Sequence, residues 1–398
     1  MNQLYDAIIV GAGPGGSALA TWLARQSLHV LLLDKQAFPR DKTCGDALNP
    51  RVVGIFRSLG IPELLPTLGY QIDGISVTTP SGAQIEAPIT INGDPGYVIR
   101  RIDLDEGLRA AAVAAGAEFL GDIRVTQVIE EEGKVVGESR GTPLWWRGRV
   151  IILAVGANVG LLRQLRLLPD RPEFGYAARL YFEGLRGLRR QIEFRFDGVP
   201  LPGYGWIFPL SESTANVGGG FFGHARRTAY DVLQQFLRHV PIVELLGDGH
   251  AADQPKAYPL RTDFHRSPAR RGRLLLIGEA AGLVNPFSGE GIDYAIESAV
   301  LAGECLRDCF AKGDLSEQAL SRYERQLRAR FQRVFVLTSW MRRIYMNERL
   351  LDALGRACAR WPDLTRLFFD ILLTREDPLK AFGPKVVSRI LRSLPVPS

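Results

Sequence analysis

The 398-residue chain is poor in sulfur and histidine, with four cysteines, three methionines and five histidines. Four cysteines in so long a chain do not make the dense disulfide framework of a small secreted domain. Two of them, Cys305 and Cys309, fall one helical turn apart on an apolar stretch and read as core. No histidine recurs at HxxxH spacing or pairs with cysteines at zinc-like spacing, so no metal site is expected. Long apolar runs are also missing, since stretches such as residues 30–33 and 274–277 fall far short of the roughly 20 residues needed to cross a bilayer. The amino-terminal segment has no basic region ahead of its first apolar run, so no signal peptide is read and a cytoplasmic location is expected. Basic residues are not interleaved with aromatics on a strand platform, which argues against nucleic-acid binding. The formal charge of +6 comes mostly from arginine beyond residue 320. That excess suits an anionic membrane surface touched peripherally, an acidic partner, or a solvated face.

What the chain does have is 46% hydrophobic residues, enough to bury a large core over two or three domains. Residues 5–10 are strand-like, 17–26 have helical spacing and 29–33 are strand-like again, which makes one βαβ unit. Between residues 65 and 98 the pattern changes to short alternating runs broken by Gly, Pro and Asn, which predicts an inserted antiparallel sheet. Residues 103–115 return to helix, and strands follow at 117–120, 125–130, 134–139 and 149–154. Residues 176–260 are strand-rich with a helix near 229–239. Residues 273–277 form an apolar strand, 292–310 a long helix, and nearly everything beyond 316 reads helical. The expected fold is α/β. A Rossmann-type nucleotide domain (1–64, 99–170 and 263–310) carries an inserted sheet domain for substrate (65–98 and 171–262) and a helical carboxy-terminal cap (311–398).

Gly11-Ala12-Gly13-Pro14-Gly15-Gly16 is a GxGxxG that directly follows a strand and opens a helix, the context in which the pattern has physical meaning. Gly11 permits the tight turn, Gly13 lets a pyrophosphate approach the backbone, and Gly16 allows close helix–strand packing. The helix start supplies free amides and a positive dipole end. Asp34 closes the second strand where a carboxylate can accept hydrogen bonds from adenosine ribose hydroxyls. A second GxGxxG, at Gly218, Gly220 and Gly223, has no further βαβ around it, and Phe221-Phe222 would crowd a pyrophosphate. Those glycines read as a place where a sheet backs closely onto a ligand.

A third motif runs from Leu274 through Ile277-Gly278-Glu279-Ala280-Ala281-Gly282 to Asn285-Pro286-Phe287-Ser288-Gly289-Glu290-Gly291-Ile292. With the glycine loop it resembles the FAD-binding pattern of p-hydroxybenzoate hydroxylase-like flavoproteins. The resemblance implies FAD, with Glu279 at the ribityl chain and Gly289, Gly291 and Ile292 at the pyrimidine edge of the flavin. That family usually has Asp where this chain has Glu279. Three further segments narrow the resemblance to the geranylgeranyl reductase family over about residues 5–310. Phe38 to Leu48, with Arg40, Cys44, Gly45 and Ala47, is similar to its flavin-side PRxKxCGxxL segment. Arg101, Asp105 and Leu108 are similar to its RxxxDxxL signature, in which the Arg approaches the cofactor. Pro202 to Pro209 is similar to its cavity-lining PxxYxWxFP segment. The resemblance also brings Gly15 and Val125 into the expected cofactor set, and Cys44 as a candidate catalytic group.

Tyr204, Trp206 and Phe208 alternate, so they share one strand face. Core and pocket are both open readings of that face, and the resemblance implies the substrate pocket. The expected activity is reduction of carbon–carbon double bonds in a polyprenyl or similarly apolar substrate. A flavin monooxygenase or halogenase acting on an aromatic compound is the enzymatic rival, and a flavin-bearing electron-transfer module at a membrane surface the non-enzymatic one. The electron donor is left open among NAD(P)H, ferredoxin and a quinol, and no second nucleotide-binding unit is legible. In the tail, Phe331, Val334, Phe335, Thr338, Met341, Arg342 and Tyr345 recur at helical spacing. They are read as closing a lipid tunnel, resting on a membrane, or packing plainly.

Overall fold

The computed structural model describes residues 4–223 and 227–394. Its first sheet runs Arg270–Arg271, Leu274–Leu276, Thr142–Leu153, Leu4–Val10, Val30–Leu33, Glu118–Leu120. Every neighbouring pair along this path is parallel except the first. Parallel strands covered on both faces need apolar side chains at every position, and residues 8–10, 31–33 and 274–276 supply them, all buried. The helix Pro14–Ala24 packs between Arg101–Ala114 and Ile292–Lys312 on this sheet. Its Pro14 sits at the first helical position, where no backbone donor is lost. Strands Arg124–Ile129 and Lys134–Ser139 extend the sheet as an antiparallel arm alongside Thr142–Leu153.

The second sheet runs His250–Ala251, Phe174–Glu183, Ala215–Phe222, Gly203–Pro209, Gln191–Arg195, Gly74–Thr78, Gln84–Pro88. Lys256–Arg261 lies along the outer edge of Phe174–Glu183. Two details differ from the sequence reading of 65–98 as an antiparallel insert. Gly74–Thr78 pairs parallel with Gln191–Arg195, which is possible because the intervening chain passes through the first domain and provides the long crossover that parallel pairing needs. Tyr70–Ile72 and Gly96–Val98 leave this sheet altogether and form a small one with Ala47–Leu48. Short helices at Leu64–Leu68 and Val240–Leu246 are also additions to the sequence reading. One face of the second sheet buries Val232, Leu233 and Phe236 of the helix Ala229–Leu237. The other face carries Trp206 and Phe208 against Phe369 and Leu373 of the tail.

The tail helices are Glu317–Tyr345, Glu348–Arg360, Pro362–Leu372 and Pro384–Leu391. Of the three readings of the face of the first one, a tunnel wall, a membrane face or plain packing, the structure shows plain packing. Phe331 and Phe335 meet Phe264 and Tyr294 edge-on within the core of the nucleotide domain. Met341 and Tyr345 enter the core of the tail itself. Arg342 is held by the Pro286 carbonyl and Glu173. A helix long enough to cross from one core to another finds protein partners for its whole apolar stripe. The cavity is closed instead by Leu372 and Leu373, at the end of Pro362–Leu372. Among the described residues, no helix is long and apolar enough to cross a membrane.

Candidate active site

A single cavity of about 900 Å³ begins at the glycine loop, passes Asp34, Arg40, Val125 and Glu279, and ends among Ile75, Ile192, Phe194, Tyr204, Trp206 and Phe208. It opens beyond the carboxyl ends of the parallel strands, where open α/β sheets bind their ligands. Two helix starts face it without any side-chain cap, Gly13 before Pro14–Ala24 and Gly291 before Ile292–Lys312. Their unpaired amides can take the two anionic regions of a flavin dinucleotide, its pyrophosphate and the pyrimidine edge of its ring. The loop geometry leaves room for that approach. Gly11 has φ +110°, and a Cβ there would stand 2.3 Å from the Ala154 carbonyl oxygen, whereas a Cβ on Gly13 would meet only the Arg40 guanidinium, at 3.8 Å. The donor set and the shape fit FAD, which supplies hydride transfer when bound.

Around the loop the charged groups form one network. Asp34 Oδ2 accepts from Ala12 N at 2.8 Å and Oδ1 from Gln36 N at 3.0 Å. Arg40 lies 3.5 Å from Asp34, donates to Asp105 at 2.8 Å and covers the Phe38 ring. Arg101, expected from the resemblance to approach the cofactor, is buried at 3% exposure and grips Asp105 with two hydrogen bonds of 2.7 Å. Further along, Glu279 accepts from Arg261 N at 3.1 Å and from Lys42 Nζ at 3.2 Å, and Lys42 lies over the Tyr258 ring. Gly15, Gly16, Cys44, Gly45, Ala47, Gly289, Gly291 and Ile292 line the same cavity. Cys44 is half-buried there; burial pushes its thiol up, so it stays protonated near neutrality rather than acting as a thiolate.

The aromatic strand owes its position to the glycines of its neighbour. A Cβ on Gly218 would lie 2.0 Å from the Trp206 indole, so the second GxGxxG lets a large ring lie flat across the sheet. Trp206 Nε1 donates to Asn216 Oδ1 at 2.9 Å, and Tyr204 donates to the Ser288 carbonyl. Phe194 meets both Tyr204 and Phe208 edge-on. Sequence reasoning gave no site role to Lys42, Phe194, Asn216 and Asp46. Lys42 is a fixed position of the quoted PRxKxCGxxL segment, whereas Asp46 falls at one of its variable positions and carried no signal of its own.

Fold and cavity together define a two-sheet flavoprotein oxidoreductase. The FAD binding domain family matches residues 4–142 and 231–338, and the chain belongs to it. The protein uses FAD. It is 34% identical over 324 residues to the menaquinone reductase of Mycobacterium tuberculosis, covering 77% of each chain. It is 29% identical over 397 residues to digeranylgeranylglycerophospholipid reductase 2 of Methanopyrus kandleri, covering 97% of this chain and 96% of that one. Among solved structures, a geranylgeranyl bacteriochlorophyll reductase-like protein of Thermoplasma acidophilum superposes with TM-score 0.79 at 24% identity, over 98% of this chain and all of that one. A flavin-dependent brominase superposes with TM-score 0.78 at 20% identity, over 98% of this chain and 100% of that one, so the fold alone is shared with halogenases.

Proposed function

We propose that the protein reduces carbon–carbon double bonds of a polyprenyl or similarly apolar lipid with FAD as its hydride carrier. The observation that carries this is the continuity of the glycine-loop cavity with a wall of Phe194, Tyr204, Trp206 and Phe208 closed by Ile75, Ile192, Leu372 and Leu373. Such a wall has little to offer a polar substrate and much to offer a hydrocarbon. The relatives named for menaquinone and digeranylgeranylglycerophospholipid, both prenylated lipids, support the same class. In this reading residues 1–64, 99–170 and 263–310 hold FAD, residues 65–98 and 171–262 hold the substrate, and 311–398 cap it. The loop of Gly11, Gly13, Gly15 and Gly16 takes the pyrophosphate under Arg40 and Arg101, with Asp34 and Val125 beside the adenosine half. Glu279 and Lys42 meet the ribityl chain, and Cys44, Gly45, Ala47, Gly289, Gly291 and Ile292 frame the flavin. The defining experiment is mass spectrometry of polyprenyl lipids incubated with chemically reduced protein, where each reduced double bond adds two hydrogens. Oxygen-dependent hydroxylation or halogenation of a soluble phenol instead would overturn the proposal.

Two expected outcomes attach to it. Denatured protein should release FAD and not FMN, and Asp34→Ala should weaken FAD binding by about 1–3 kcal/mol, the worth of charge-assisted hydrogen bonds. Equilibrium titration of apoprotein with FAD checks the second figure. Trp206→Ala should cut turnover of long prenyl chains at least about tenfold more than that of a short alkene, because the area lost lies along the chain. Turnover at two chain lengths, with the flavin spectrum as control, is the measurement, and equal losses at both lengths would remove Trp206 from the substrate wall.

A further inference from the structure

The turn at Cys44, Gly45 and Asp46 lies against the aromatic strand, where a Cβ on Gly45 would stand 2.9 Å from the Phe208 ring and 3.6 Å from Trp206 Nε1. Asp46 takes a left-handed backbone, φ +69°, which few non-glycine residues adopt. Its side chain is wholly buried at the cavity wall. Oδ2 accepts from Tyr181 Oη and from Asn216 Nδ2, each at 2.8 Å, while the buried Oδ1 has no hydrogen-bond partner in the protein. Asn216 also donates to the Cys44 carbonyl at 2.7 Å and accepts from Trp206. One amide thus holds the carboxyl and the aromatic wall in a single frame. A buried carboxyl with one oxygen unpaired is costly to keep and asks for a reason.

We propose that Asp46 is the acid that protonates the substrate double bond, a role that rests on the alkene-reductase reading above. The Asp46 O–H bond and the C=C π bond break, and the proton forms a C–H bond at the less substituted carbon. Positive charge then develops on the neighbouring tertiary carbon, where the π faces of Phe194, Tyr204 and Trp206 stabilise it. Hydride from the bound cofactor forms the second C–H bond. The lipid gains two electrons, the cofactor loses two, and NAD(P)H, ferredoxin or a quinol restores them. The Asp46 carboxylate left behind is held by Tyr181 and Asn216 and regains its proton from water through the hydroxyl of the half-buried Tyr181, which bonds it directly.

The surroundings set the proton affinity this role requires. Burial raises the Asp46 carboxyl to about 6, against the hydrogen bonds from Asn216 and Tyr181 and the nearby charges of Arg179 and Arg101. The Cys44 thiol, two residues away, is itself held neutral by burial. The acid is therefore present below about pH 6 and is lost as pH rises through that value.

The test uses the full FAD-loaded protein. Infrared pH-difference spectra of the oxidised protein, with no substrate present, should show a protonated-carboxyl band that titrates near pH 6 and is missing in Asp46→Asn. Single turnover of geranylgeranyl and menaquinone lipids by chemically reduced protein should fall about 10²–10⁴-fold in that variant at pH 6, the usual worth of a general acid. Tyr181→Phe removes a donor to the charged form, so it should move both the band and the alkaline fall of the rate to higher pH. Folding is checked separately. The raised affinity means that stability contributed by this proton is present at acidic pH and lost as pH rises through about 6, so Asp46→Asn should melt no lower than wild type at pH 8. A wild type that reduces the lipids with Asp46→Asn equally fast, or that shows no titrating band, overturns the role of Asp46. A wild type that reduces neither lipid overturns the alkene reading beneath it.

Discussion

Gly16→Ala is expected to yield protein purified without flavin and destabilised by more than about 3 kcal/mol, at the upper end of what overpacking costs. A Cβ at this position would lie 1.8 Å from the Gly11 carbonyl oxygen and 3.2 Å from the Ala154 side chain. Neither neighbour is the free end of a flexible chain. The first belongs to the tight turn itself, and the second follows Thr142–Leu153, whose backbone is locked in register with Leu4–Val10. Relief requires the helix Pro14–Ala24 to move away from the sheet. It is buried along nearly its whole length between two other helices, so movement opens the core and draws the helix start away from the pyrophosphate. The measurements are the flavin-to-protein absorbance ratio and the thermal midpoint. Stoichiometric flavin in Gly16→Ala would show that the loop can open without cost.

Asp105→Ala should be comparably damaging, by about 3–5 kcal/mol, for an electrostatic reason. Asp105 is wholly buried and holds Arg101 through both carboxylate oxygens and Arg40 through one. Its removal leaves Arg101 charged in a nonpolar setting, and a guanidinium cannot escape by losing its proton. Arg40 loses its short ion pair as well and keeps a long contact of 3.5 Å with Asp34 and its place over the Phe38 ring. The double variant Asp105→Leu with Arg101→Met replaces the pair with apolar groups of similar volume and should recover most of the stability. It should not recover FAD affinity, since two cations beside the glycine loop are then displaced or absent. Denaturant unfolding and FAD titration of single and double variants separate the two effects. Recovery of both together would mean that Arg101 and Arg40 serve the fold and not the cofactor.

The parts of this protein that could be read directly are those whose meaning is local. A strand, the glycines at 11, 13 and 16, a helix and Asp34 lie within one βαβ unit, where backbone geometry alone fixes which amides point outward. The alternation of Tyr204, Trp206 and Phe208 likewise guarantees a shared face, because successive strand residues point to opposite sides. Tertiary structure decided what each face meets. Periodicity shows that a stripe is covered but not by what, and so the 331–345 stripe was open between a tunnel wall, a membrane face and plain packing until the structure set it against Phe264, Tyr294 and the tail, with the cavity closed by Leu372 and Leu373. Asp46 makes the same point for charge. Its partners Tyr181 and Asn216 are 135 and 170 residues away, and the proton affinity of a carboxyl depends on the burial and hydrogen bonds that such distant partners bring, neither of which exists until the two sheets close over it.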